Sequence, residues 1–258
     1  MTTAEPSLQT DPVENNDHLD ILYQDKYLVA VHKPAGLLVH KSPIDRHETR
    51  YAMKILRNQI GQWVYPVHRL DKPTSGLLLF ALHPDIASQV SQSFEKREVA
   101  KQYCAIARGF TKEEETIEHP LKEIAVFKHQ QKQVEQKQAK ASVTQYKRLA
   151  QFELPYSDGR FPTSRYSLIE LNPQTGRKHQ IRRHLKHISH PIIGDVKYGK
   201  GEHNRLFQEV FSSNRLLLAA TALKLQHPVS GDALALKCPL EISFEKTLQQ
   251  LSEYKYVP

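Results

Sequence analysis

Asp71 stands two residues after Arg69 in His68-Arg69-Leu70-Asp71, just ahead of Thr74-Ser75-Gly76. An acid at a tight turn before a buried strand can serve as nucleophile or base, provided a cation keeps it ionised. A second segment able to do chemistry is Thr175-Gly176-Arg177-Lys178-His179-Gln180-Ile181-Arg182. As a strand it puts Arg177, His179 and Ile181 on one face and Lys178, Gln180 and Arg182 on the other. An Arg can hold a carboxylate through two parallel hydrogen bonds. The plainer alternative is that Asp71 caps its turn and Arg182 binds phosphate. Spacing alone does not pair the two.

Other chemistries lack their residues. Among ten glycines there is no G-x-G-x-x-G and no G-x-x-x-x-G-K-S/T, so a Gly-rich nucleotide site has no support. A zinc nucleobase deaminase needs H-x-E with P-C-x-x-C, which does not occur. His179, His184, His187 and His190 have no H-E-x-x-H or cysteine partners. Phosphate-facing or structural histidines explain them better than a metal. The expectation is a reaction with no cofactor and no metal. Two cysteines, Cys104 and Cys238, make neither a disulfide scaffold nor a zinc ribbon. Both are expected reduced, in the cytoplasm.

The elements that must position these residues follow from the apolar pattern. Strands are expected on either side of a turn at Gln24–Lys26, and a helix over 48–60 with Met53, Leu56 and Ile60 on one face. The Asp71 turn leads into an apolar strand that ends near Leu82. A helix over 83–98 follows, with Pro84 in its first turn and Ile86, Val90 and Phe94 inward. Further strands are expected at 100–109, 141–149 and 164–172, then at 175–181 leading into a helix over 182–188. "LLLAATALKLQHP" and "ALALKCP" add two strands, and a last helix runs from about Ser243 to Tyr254. The class is α+β with one extended sheet.

The 258 residues carry 36 Lys and Arg against 28 Asp and Glu, a formal charge of +8. Residues 160–205 hold ten Lys and Arg against three acids, a net +7 that nearly equals the excess of the whole chain. Such a stripe is the footprint of a polyphosphate partner, although a solvated helix face is the bland alternative. No apolar run approaches the roughly 20 residues of a membrane span. Residues 1–18 read as a disordered acidic tail and 128–140 as a mobile Lys/Gln loop.

"HRLDKPTSG", "KQYCAIARG" and "TGRKHQIRRHL…HPIIGDVKYG", in that order, resemble the RluA family of RNA pseudouridine synthases. The resemblance runs from about Ile21 to Pro239, and Arg183 departs from it where many relatives carry Val. "GRFPTSRYSLIELNPQTGR", "KSPIDR" and the lack of a preceding S4 RNA-binding domain look most like the branch that modifies uridine 65 of tRNA. The resemblance implies a pseudouridine synthase fold over 19–258, a mixed, mostly antiparallel sheet with the active cleft across it. It implies that Asp71 is the essential nucleophile or base and that Arg182 salt-bridges it. Tyr103 matches the tyrosine that stacks on the target base and is implicated in losing the C5 proton; otherwise it is a core aromatic. Arg69 matches the residue that fills the place of the flipped uridine, or else is a second partner for Asp71. Arg177, Lys178, His179 and Arg183 are the expected RNA contacts, with Arg177 open between phosphate contact and strand-end structure. The implied partner is RNA, with tRNA ahead of ribosomal RNA, met by a monomer with no membrane role. The reading of another class is a non-catalytic RNA binder or chaperone, which would need none of Asp71, Tyr103 and Arg182.

Overall fold

Two strands come first, β1 (Ile21–Gln24) and β2 (Leu28–Lys33), the second buried along nearly all its length. Asp25 holds the turn between them, accepting from the Tyr27 and Leu28 amides at 2.7 Å each. The computed structural model describes residues 18–41, 47–125, 138–157 and 160–257. Nearly all of the expected acidic tail, the last five residues of "KSPIDR" and most of the Lys/Gln stretch lie outside the described residues.

Helix α1 (Ala52–Ile60) buries Ala52, Ile55 and Leu56 and ends on Gly61, whose φ of 70° is the left-handed cap glycine favours. After a short β3 (Tyr65–Pro66), all seven residues of β4 (Ser75–Ala81) are buried. A strand covered on both faces reads as an apolar run rather than an alternation. Helix α2 (Pro84–Glu95) begins on Pro84 and packs Ile86 and Val90 inward. Strands β5 (Ala100–Arg108), β6 (Glu114–Glu118), β7 (Val143–Leu154) and β8 (Ser164–Pro173) follow. The chain then forms α3 (Gln180–His187), α4 (Gly201–Phe211), β9 (Leu218–Gln226), β10 (Ala233–Lys237) and α5 (Ile242–Ser252).

One sheet takes the order β1-β2-β4-β9-β5-β8-β7-β6, with β10 beside β9 and β3 beside β4. Its pairs are antiparallel except β4 with β9. This is the expected open α+β sheet. Strand β9 is the joint, since it separates β4 from β5 although it comes late in the chain. Four apolar clusters line the two halves. Helix α1 packs on β2 and β4 in one of them, and α3 packs on β5 and β8 in another. Tyr103 touches both of these clusters, which puts it at the seam between them. Helices α4 and α5 cover Tyr166 and Phe152 in a third.

The expected strand over 175–181 is corrected: α3 begins at Gln180, and the residues before it form a turn. The side-chain amide of Gln180 is the cause. Its Oε1 accepts from Thr175 Oγ1 at 2.6 Å and from the Arg177 amide at 3.0 Å. Its Nε2 donates to Val143 O and Thr144 Oγ1, both at 2.9 Å. Four satisfied bonds fold the segment back on β7 instead of extending it. Helix α4 and strands β3 and β6 had no counterpart in the expected elements.

Candidate active site

Asp71 sits in the turn between β3 and β4, closed by the Thr74 amide donating to Asp71 O at 3.0 Å. The following residues show why Thr-Ser-Gly suits this place. Ser75 Oγ accepts from Arg215 Nη2 at 2.6 Å, and Arg215 Nη1 pairs with Glu241 at 2.6 Å. Gly76 has φ of 109°, and a Cβ there would lie 2.1 Å from Ala220 O on β9. From the other side, the fully buried Lys33 donates to Pro34 O and Leu37 O at 2.8 Å and to Lys72 O at 3.2 Å. Burial pushes its pKa down to about 7.

Arg182 reaches Asp71 from α3, with Nη1 donating to Oδ2 at 3.2 Å. The expected pairing is present, but the two-pronged grip goes to another carboxylate. Nε and Nη2 of Arg182 hold Asp195 Oδ2 and Oδ1 at 2.7 and 2.9 Å. Asp195 Oδ1 also accepts from the Lys197 and Tyr198 amides at 2.9 Å each. Burial works to raise the Asp195 pKa; the bonds from Arg182 and these amides outweigh it and hold the carboxyl below its usual range. The Asp195 side chain is 0% exposed while that of Asp71 is 19% exposed, so only Asp71 can meet a ligand.

His179 is the cap residue of α3, in the left-handed region at φ 56°. Its Nδ1 lies 2.9 Å from Tyr198 Oη, and its Nε2 is 3.8 Å from Asp71 Oδ1. Burial drives its pKa down to about 4, so it is neutral at pH 7 beside Asp71. Tyr103 follows an irregularity in the pairing of β5 with β9 and lines the same cavity as Asp71. Burial first, then the Asp71 charge, raise its pKa, so the phenol keeps its proton.

The cavity holds about 680 Å³. Arg69, Arg177, Lys178, His179 and Arg182 line it with Asp71 and Tyr103. Arg69 is exposed at the cleft. The Lys178 pKa is lowered by burial, then by the nearby charges of Arg69 and Lys197. Arg177 is half-buried, and its Nε is buried with no hydrogen-bond partner. Arg183 is placed differently: it is not among the cavity-lining residues and donates to Lys122 O at 2.9 Å. His184 lies within α3, bonded to Thr144 Oγ1 and His119 O, and serves the structure.

Sequence reasoning missed Asp195, Tyr198, Lys33 and Arg215. Asp195 lay within "HPIIGDVKYG", where its acid among cations was the available signal. For Lys33 and Arg215 no local pattern marks a buried cation.

Comparison with known proteins gives the family. The family model for RNA pseudouridylate synthase matches residues 27–187. Over 241 residues the chain is 51% identical to tRNA pseudouridine synthase C of Vibrio parahaemolyticus, covering 93% of this chain and 94% of that one. It is 45% identical over 233 residues to tRNA pseudouridine synthase C of Haemophilus influenzae, covering 90% and 97%. The solved structure of human RNA Pseudouridylate Synthase Domain Containing 4 superposes with a TM-score of 0.68 at 27% identity, covering 93% of this chain and 94% of that one. An open, mostly antiparallel sheet with an arginine-held aspartate in its cleft and the match over most of its length lead to one conclusion: this chain belongs to the RNA pseudouridylate synthase family.

Proposed function

We propose that this synthase converts uridine 65 of tRNA to pseudouridine, with Asp71 as its reacting carboxylate, Arg182 as the cation beside it and Tyr103 as the stacking surface for the base. The reaction breaks the N1–C1′ bond, turns the uracil and forms a C5–C1′ bond. The C5 proton leaves, N1 gains one, and no electrons are exchanged. Asp71 attacks C1′, attacks C6 or takes the 2′ proton; each route needs a carboxylate in reach of the nucleoside. The observation that carries this reading is the division of Arg182 between two carboxylates, one sealed and one open to the cavity. The sealed Asp195 fixes the guanidinium, so a permanent charge is in place beside the open Asp71 before substrate arrives.

The tRNA choice is supported by relatives of 45–51% identity that carry tRNA pseudouridine synthase C as their name. A uridine inside a stem must be flipped out, at about a few kcal/mol. Arg69 at the cleft is the residue proposed to occupy the vacated place. Lys178, Arg177 and His179 are proposed to meet the RNA within the cleft, and Arg183 outside it. The proposed setting is the cytoplasm, with the protein acting as a monomer. Among the described residues no helix is long and apolar enough to cross a membrane.

Tritium release from C5-labelled RNA tests the proposal. The expected result is release from a tRNA transcript, lost on changing uridine 65 and lost in Asp71→Asn, with RNA affinity kept within a few-fold because phosphate contacts persist. Release only from a 23S ribosomal fragment would overturn the tRNA assignment. Tight binding without release from either RNA would favour the non-catalytic binder. Residual turnover of Asp71→Asn above roughly a tenth of wild type would remove Asp71 from its role, since a lost nucleophile costs far more than tenfold.

A further inference from the structure

The cavity extends well beyond Asp71. Its lining also takes in the end of α2, the start of β5 and the turn before α3, with Glu95, Arg97, Lys101, Thr175 and Arg177. Lys101 bridges toward that turn, with Nζ 3.4 Å from Thr175 O. Arg177 lines the same cavity, with its Nε buried and unbonded. Among the described residues Glu95 is the one carboxylate there, exposed at the last residue of α2.

Arg97 supplies an independent observation. Helix α2 ends in a regular cap, with the Glu98 amide bonded to Ser93 O at 2.9 Å and the Arg97 amide to Phe94 O at 3.2 Å. That cap needs a left-handed residue, normally glycine, and Arg97 fills it with φ of 65°. An arginine there carries a backbone cost that glycine would not. A cation at a helix C-terminus does gain from the dipole, but Lys96 already stands at the cap. What Arg97 adds over glycine is charge at the cleft. Lys101 lies close enough to feel it: its pKa is lowered by burial and then by Arg97. Arg97 repels Lys101, and Arg177 lines the same cavity with an unmet donor, an arrangement suited to an anion.

We propose that Arg97, Lys101 and Arg177 form a second subsite that binds a phosphodiester of the RNA strand beside the target uridine. The proposal rests on the function proposed for the chain. The strand then enters or leaves the cleft between α2 and the turn before α3, while the uridine turns in toward Asp71.

Binding of tRNA by Arg97→Gly, Lys101→Ala and Arg177→Ala, measured over a salt series, tests the subsite. Each variant is expected to raise Kd several-fold and to lower the salt slope by about one. Arg97→Gly separates function from folding, because its Tm is expected to hold or rise while its affinity falls. A tRNA joined from synthetic halves, with one neutral methylphosphonate linkage at a time around uridine 65, locates the phosphate. One linkage is expected to weaken wild type several-fold and to leave Arg177→Ala unchanged. Unaltered Kd and slope in all three variants overturn the subsite. So does a scan in which each linkage weakens wild type and Arg177→Ala equally. Uridine conversion by wild type on unmodified tRNA reports separately on the proposed function. Linkage-dependent binding without conversion would sink that function and leave the subsite standing.

Discussion

At Arg182 one guanidinium serves two carboxylates with opposite exposures, and this division leaves Asp71 open to the cavity beside a fixed charge. Beneath the same turn, Lys33 is a buried ammonium ringed by three carbonyls. In the unfolded chain it holds its proton to about pH 10.5, and in the folded protein only to about pH 7. Between those values the unfolded state binds the extra proton, so stability due to Lys33 rises with pH and is lost as pH falls toward 7. The Tm of wild type minus that of Lys33→Met is therefore expected to increase from pH 7 to pH 10. A flat difference would mean that Lys33 is charged throughout. At this scale the sequence was informative where a residue type and a motif agreed. Asp71, Tyr103 and Arg182 were legible, and they do share one cavity. Asp195 was not, because no period links a loop acid to an arginine a full helix earlier; the turn at Gly194 brings them together.

The turn before α3 shows how an element can be misread. A period of two puts Arg177, His179 and Ile181 on one face, which imitates a strand. No Ser, Thr, Asp or Asn marks the helix start; His179 takes that position without a side-chain cap bond. The determining group is the Gln180 amide, two of whose four partners lie on β7 and cannot be seen from local spacing. Gln180→Leu keeps the volume and removes all four bonds. It is expected to destabilise the fold by about 1–3 kcal/mol in urea unfolding, the cost of leaving buried polar partners unmet. It is also expected to lower kcat at least tenfold with KM changed less, because His179 and Arg182 hang on this turn. A drop confined to KM would show that the turn serves binding alone. Strand β6 escaped notice for another reason: only Ile117 is buried in Glu114–Glu118, so it offers almost no apolar signal. Helix α4 does bury His203, Phe207 and Phe211 at helical spacing, and its pattern was legible but went unassigned.

For the molecule as a whole, the two halves of the sheet meet where β4 lies parallel to β9. Gly76 pairs with Ala220 at that joint, with no room for a side chain. Gly76→Ala combines a left-side φ with a backbone collision, and is expected to cost about 3 kcal/mol or more, among the larger single-residue effects. Thermal unfolding checks this; a Tm within a few degrees of wild type would mean that β4 and β9 can slide apart freely. The overall class and most strands were readable from apolar runs and turns. The strand order was not, because pairing across the chain leaves no mark in local pattern.

That joint has a bearing on how the protein is made. Arg215, which ties Ser75 in place, lies 140 residues along the chain from it, and Glu241 lies 206 residues from Ala35. A ribosome that has delivered everything through α3 has already released Asp71, Tyr103 and Arg182. Without β9, however, β4 and β5 have nothing between them, and the aspartate and tyrosine belong to separate pieces. Long-range pairing of this kind is slow and comes late in folding. The nascent chain thus carries Asp71, Tyr103 and Arg182 before it carries the strand that brings their two pieces together.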